Sequence, residues 1–238
     1  GCAAQFESLI EKHLEKGKPK AREDDSIDYK DLNIVQSIES GTELLRKHEP
    51  TLGEAGMNIQ GEVILAPPGE NKYFGKLKGA VIDDHDPNLV LAAESGQPYV
   101  SENTVVVHPI FTVQGVNYST GNINFTGTVV VTGTVESGFK IKAGGDIVVS
   151  GAVEGAELEA KGSITLKSGV VGGGKAHLIA GQDIKAKFIE GATVESHKSI
   201  AVTEMIVHSE VTAAEKIIVG GKEKGKGQIT GGITRASN

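Results

Sequence analysis

Along residues 4–16 (AAQFESLIEKHLE), Ala4, Phe6, Leu9, Ile10 and Leu14 recur at helical spacing, with Glu7, Glu11, Lys12 and Glu15 opposite them. The spacing predicts a short amphipathic helix ended by Gly17 and Pro19. A charged stretch without periodicity, Lys18 to Lys30, follows and reads as a linker. From Leu32 the pattern shortens to brief apolar runs: LNIVQSI, TELLRK, EVILA, LVLAA and TVVVH. Turn signals such as Pro67-Pro68-Gly69 and Asp86-Pro87-Asn88 separate them, which predicts a small mainly-β domain, barrel- or sandwich-like.

Past residue 110 the pattern repeats. The segments AGGDIVV, AKGSITL, AGQDIKA, SHKSIAV and AAEKIIV align on Ile147, Ile164, Ile184, Ile200 and Ile217, at spacings of 17, 20, 16 and 17. Within each unit alternate residues are apolar (Ile147 and Val149, Ile164 and Leu166, Ile200 and Val202), so their neighbours Val148, Thr165 and Ala201 point outward. A repeat of that length with period-two alternation predicts a β-solenoid. The uneven spacings break the strict six-residue register of left-handed β-helices, so a right-handed coil is expected. The expected fold class is all-β apart from the helix: a right-handed parallel β-helix, a single-stranded solenoid, preceded by the small mainly-β domain. The expected division is helix and linker over 1–30, the β domain over 31–104 and the parallel β-helix over 105–238.

Composition explains part of this pattern. Glycine numbers 32 of 238 residues and Phe, Trp and Tyr together make up only 4%. Glycine has no Cβ and turns the tight corners of a coil, while a thin stacked interior is expected to leave no room for rings. No apolar stretch is long enough to span a bilayer, and membrane insertion is not expected. Residues 1–100 hold 18 acidic and 11 basic side chains, a net of −7, whereas residues 101–238 hold 13 of each. Neither part carries the basic footprint of a nucleic-acid binder. Lys222, Lys224 and Lys226 alternate with glycine and Glu223 and read as a solvated loop. Gly1-Cys2-Ala3-Ala4 resembles a lipidation box but has no apolar leader before it.

Candidate chemistry is sparse, and no cofactor or metal is expected. None of His13, His48, His85, His108, His177, His197 and His208 sits in a short metal-ligand spacing. Asp83-Asp84-His85-Asp86 could offer hard oxygens to a cation but is followed by Pro87-Asn88, so it reads as an acidic turn. Gly172-Gly173-Gly174-Lys175 lacks the frame of a phosphate loop and reads as a coil corner. The near absence of Arg and of aromatic side chains in the repeats argues against a glycan-active β-helix, and the broken hexad argues against an acyltransferase.

One run carries a resemblance. VNYSTGNINFTG at 116–127, with GTVESGFKIKAGGDIVVSGAVEGAELEAKGSI, AKFIEGATVES and the upstream GTELLRKHEPTLGEAGMNIQGEVI, closely resembles the bacterial flagellar assembly protein A (FapA) family. The resemblance spans about residues 28–230. It implies a cytoplasmic protein with a right-handed parallel β-helix, tied to flagellar assembly or its placement at the cell pole. The family usually has an acidic residue where Asn117 stands, and its members commonly extend further at both ends, so the sequence reads as a fragment. A non-catalytic scaffold is expected, binding protein partners of the flagellar or polar machinery through flat β-helix faces. Outward residues Glu157, Glu159, Lys185, Lys187, Thr193 and Glu195 are the expected partner-binding positions. A homo-oligomer or a self-assembling, cytoskeleton-like solenoid is the alternative.

Overall fold

The computed structural model describes residues 1–10, 36–221 and 227–237, and the backbone of 20–21 and 27–28. Strands account for all of its regular secondary structure. The chain passes from one compact unit to a second between Pro109 and Ile110.

In the first unit, strand Glu43–His48 buries Leu44, Leu45 and the stem of Lys47, and a register irregularity between Glu43 and Leu45 breaks its alternation. It pairs antiparallel with Leu89–Ala92, which pairs in turn with Ala80–Ile82. Gln97–Ser101 and Thr104–His108 form a hairpin, to which Leu77–Lys78 adds in parallel. Leu44, Leu45, Ala80, Val90, Ala92, Val105 and Val107 from these strands share one core.

The helix expected over 4–16 is corrected by this unit. Gln5–Ser8 is a strand, paired antiparallel with Glu43–His48 so that Phe6 lies opposite Lys47. Residues 11–16 lie outside the described residues, as do most of the Lys18–Lys30 linker and residues 32–35 of the LNIVQSI run. The physical reason is that an isolated helix of this length is marginal in water. The edge of Glu43–His48 instead supplies backbone partners, and the Phe6 ring packs tilted against Phe74 with centroids 5.5 Å apart. Ile38, at the end of the LNIVQSI run, bridges to Gly96.

The second unit is a parallel β-solenoid. Phe111, Val129, Ile147, Ile164, Ile184, Ile200 and Ile217 follow one another in register on a first face, which makes six turns. Val116, Val135, Val153, Val170, Ile189, Ile206 and Ile229 descend a second face. Ile123, Ile141, Leu158, Leu178, Val194 and Val211 descend the third. These columns line one buried core, with Phe111 and Ile217 partly buried against it and Ile229 exposed beyond it. Each isoleucine sealed there stabilises the fold by about 1.5–3 kcal/mol relative to leaving it in water.

The interior is not closed to rings. Phe125 and Phe139 are both 1% exposed, in the first coils. Room exists because the column above Phe125 continues as Ala143, Ala160 and Ala180, so a large side chain is offset by small ones. Glycine serves the corners in two ways. At Gly144 a Cβ would run into the Thr126 carbonyl of the coil before it. Between the second and third faces, Gly138, Gly155, Gly173, Gly191 and Gly231 all take positive φ, from +53° to +80°. In that column His208 stands alone as a residue with a side chain, at φ 44°.

Candidate partner-binding faces

The period-two alternation places the expected partner-binding residues on two different faces. Glu157 and Glu159 point outward from strand Glu157–Ala160 on the third face. Thr193 and Glu195 lie on the same face, each separated from its counterpart by one intervening strand. One outward column runs Lys140, Glu157, His177, Thr193, Glu210, Ile233, and its neighbour runs Lys142, Glu159, Ile179, Glu195, Thr212, Arg235. Lys185 and Lys187 instead stand on the first face, outward of Ile184 and Ala186. The structure therefore brings four of the six together and sets two apart.

Electrostatics divides the third face again. Lys140 Nζ lies 2.7 Å from Glu157 Oε2, and Lys142 Nζ lies 2.7 Å from Glu159 Oε2. Both pairs are half-exposed and span two consecutive coils. The hydrogen bond from Lys142 to Glu159, reinforced by the charge of that carboxylate and then of Glu157, holds the Lys142 ammonium above its ordinary value of 10.5. The raised value means that the contribution is complete below pH 10.5 and fades only as pH climbs through the folded-state value. At neutral pH the lower part of the face is thus self-neutralised. Further along, Glu195 has only the loose approach of His197 at 3.9 Å, and Glu210 has no ion pair among the described residues. Thr193, Glu195, Glu210 and Thr212 thus make up a polar strip on a flat sheet, net acidic even with Arg235 next in register beyond Thr212.

On the first face Lys187 pairs with Glu204 at 3.5 Å. Lys185 lines an open groove of about 380 Å³ with Lys198, Lys216, Ala201 and Ile218. A second open cleft, of about 600 Å³, lies in the first unit between Ala4, Phe6, Lys72, Glu102 and Asn103.

The sequence reading missed Lys140 and Lys142 as partners of the two glutamates. Their signal was present: KIKA at 140–143 precedes ELEA at 157–160 by one 17-residue coil. It also missed Lys198 and Lys216, because the three lysines of the groove come from three successive coils.

Asp86 Oδ1 accepts from the Asn88 N–H at 3.0 Å, and Asp86 Oδ2 binds Arg46 at 2.9 Å, so this carboxylate shapes a turn. Gly173 and Gly174 form a positive-φ bulge in strand Val170–Ala180. Among the described residues, no three His, Cys, Asp or Glu side chains gather as a metal site. No helix among them is long and apolar enough to cross a membrane. Lys222, Lys224 and Lys226 lie outside the described residues.

Comparison with known proteins gives two matches. The family model of the flagellar assembly protein A beta solenoid domain matches residues 109–238, and that of the flagellar assembly protein A N-terminal region matches residues 1–103. No curated protein and no solved structure matches.

Proposed function

The chain belongs to the flagellar assembly protein A family, which links it to flagellar assembly, and from that premise we propose that it is a non-catalytic cytoplasmic scaffold. In this reading the third face of the solenoid holds a protein partner of the flagellar or polar machinery. Glu157, Glu159, Thr193 and Glu195 contribute, and Lys185 and Lys187 serve a separate contact on the first face. The observation that carries the reading is the register of the third face. Parallel pairing keeps outward side chains in columns about 4.8 Å apart on a rigid sheet. A partner then meets fixed charges at low ordering cost.

The strip formed by Thr193, Glu195 and Glu210 is the centre of this contact, because its carboxylates are not engaged by lysines as those of Glu157 and Glu159 are. It calls for a basic surface on the partner. Complementation of a strain lacking the protein tests this. Glu195→Lys with Glu210→Lys is expected to fold normally and to fail in flagellar assembly or placement. The double variant Glu157→Gln with Glu159→Gln is expected to retain most function. Full complementation by the Glu195/Glu210 variant would remove the third face from the account.

A further inference from the structure

Two features outside that face are each unsatisfied in the single chain, and their chemistries match. The first is an arm, residues 51–69. It leaves and returns at one point, where the Gly69 N–H donates to the Thr51 carbonyl and the Thr51 N–H to the Cys2 carbonyl, each at 3.0 Å. Between these ends Gly56–Met57 and Val63–Ile64 pair as a short antiparallel hairpin. Its turn is fixed by Asn58, whose Oδ1 accepts from the N–H groups of Gln60 and Glu62 at 3.0 and 2.9 Å. The Asn58 Nδ2 donates to Glu62 Oε2 at 2.8 Å, and Gly61 closes the turn at φ +84°.

This rigid tip presents apolar side chains to water. Ile59 is 104% exposed, Leu52 84%, Leu65 81% and Met57 70%, and Val63 and Ile64 are more than half exposed. A two-stranded hairpin with both faces wet has no core of its own, and a cluster of this kind marks an interaction site. Its charged residues narrow the partner. From Thr51 to Asn71 the ionisable side chains are Glu54, Glu62 and Glu70, with no Lys or Arg. An anionic membrane surface would repel such an arm. Pairing of one arm with another would crowd carboxylates together. The arm suits an apolar floor with a basic rim.

The second feature is such a surface. In the groove on the first face, Lys185, Lys198 and Lys216 form the rim, while Ala201 and Ile218, the latter 48% exposed, form the floor. None of the three lysines has an ion pair among the described residues, unlike Lys140, Lys142 and Lys187. The two carboxylates in the groove both accept hydrogen bonds from Ser199. Asp183 Oδ1 accepts from its N–H at 3.3 Å and Glu215 Oε2 from its hydroxyl at 3.1 Å. Three lysines against these two carboxylates leave the groove net positive by one charge.

We propose that the arm of one copy seats in the lysine-rimmed groove of a second copy. Glu54 and Glu62 meet the lysines, and the apolar tip around Ile59 covers Ala201 and Ile218. The contact joins two different surfaces, so each copy retains a free arm or a free groove and assembly runs head to tail. It shares Lys185 with the first-face contact proposed above, but none of its residues lies on the third face, so its failure leaves the reading of Glu195 and Glu210 untouched.

Sedimentation equilibrium of the whole chain tests it. The mass is expected to rise with protein concentration and to fall back when salt goes from about 0.1 to about 1 M, where screening becomes short-ranged. Ile59→Asp alone and Lys198→Glu with Lys216→Glu are each expected to remain monomeric. All of these positions are solvent-facing, and matching denaturation curves confirm the fold. Mixed one to one, the two variants are expected to form a heterodimer and nothing larger, since the first keeps its groove and the second its arm. A wild-type chain monomeric at every concentration overturns the proposal. So does association that either variant retains alone, or a mixture that stays monomeric or grows beyond two.

Discussion

His208 occupies a position that glycine holds in the neighbouring coils, and its φ of 44° falls in the region that costs an L-residue about 1–2 kcal/mol. Gly191, one coil earlier, takes φ +59° without that penalty. Two opposite substitutions follow from this. Gly191→Ala is expected to lower the stability of the solenoid by about 1–2 kcal/mol. His208→Gly is expected to raise it by about 0.5–1 kcal/mol, the relieved strain less the added entropy of the unfolded chain. Denaturant midpoints of both variants check the pair. Equal effects would mean that the corner does not impose a left-handed residue. At this scale the sequence was informative where a residue type has one use. Glycine pairs marked corners correctly, whereas nothing about His208 announced that it stands where glycine should.

At the scale of strands, burial follows period two so closely that inward and outward neighbours are expected to respond differently. Ile164 is fully buried and Thr165, beside it, faces out. Ile164→Ala is expected to cost about 2–5 kcal/mol through lost burial and the cavity left behind. Thr165→Ala is expected to change stability by less than about 0.5 kcal/mol. Thermal or denaturant unfolding distinguishes them, and comparable losses would contradict the assigned register. This alternation was legible from the sequence because one isoleucine per coil anchors it, from Ile147 to Ile217. The N-terminal segment was not legible in the same way. Phe6 and Ile10 are four apart and suit a helix, yet pairing with Glu43–His48 holds residues 5–8 extended. Nor did the pattern reveal the arm. EVILA reads as one more short strand, but Val63, Ile64 and Leu65 are exposed, and among the described residues Val63 and Ile64 pair only with Gly56–Met57.

For the whole molecule, function rests on what parallel register does with scattered residues. Glu157, Thr193 and Glu210 are far apart in sequence and share a column only because each coil returns in phase. The alternation placed Glu157 and Thr193 outward, but the lengths of the coils decide which residues stand together, and Glu210 was not singled out. The irregular coil between Ile164 and Ile184, with its bulge at Gly173 and Gly174, hides that phase from inspection of the sequence. The three lysines of the groove are hidden for the same reason.

The register across that bulge is therefore the claim on which the partner face depends, and a cysteine pair tests it directly. In a Cys2→Ser background, His177→Cys with Thr193→Cys places two thiols on residues paired across adjacent coils. Their Cα atoms would lie about 4.8 Å apart, within disulfide range. His177→Cys with Glu195→Cys sets them off by two residues, at about 8 Å, beyond that range. Mild oxidation followed by mass measurement is expected to show an intramolecular disulfide in the first pair and free thiols in the second. The reverse result, or a disulfide in neither, would contradict the register and with it the acidic strip.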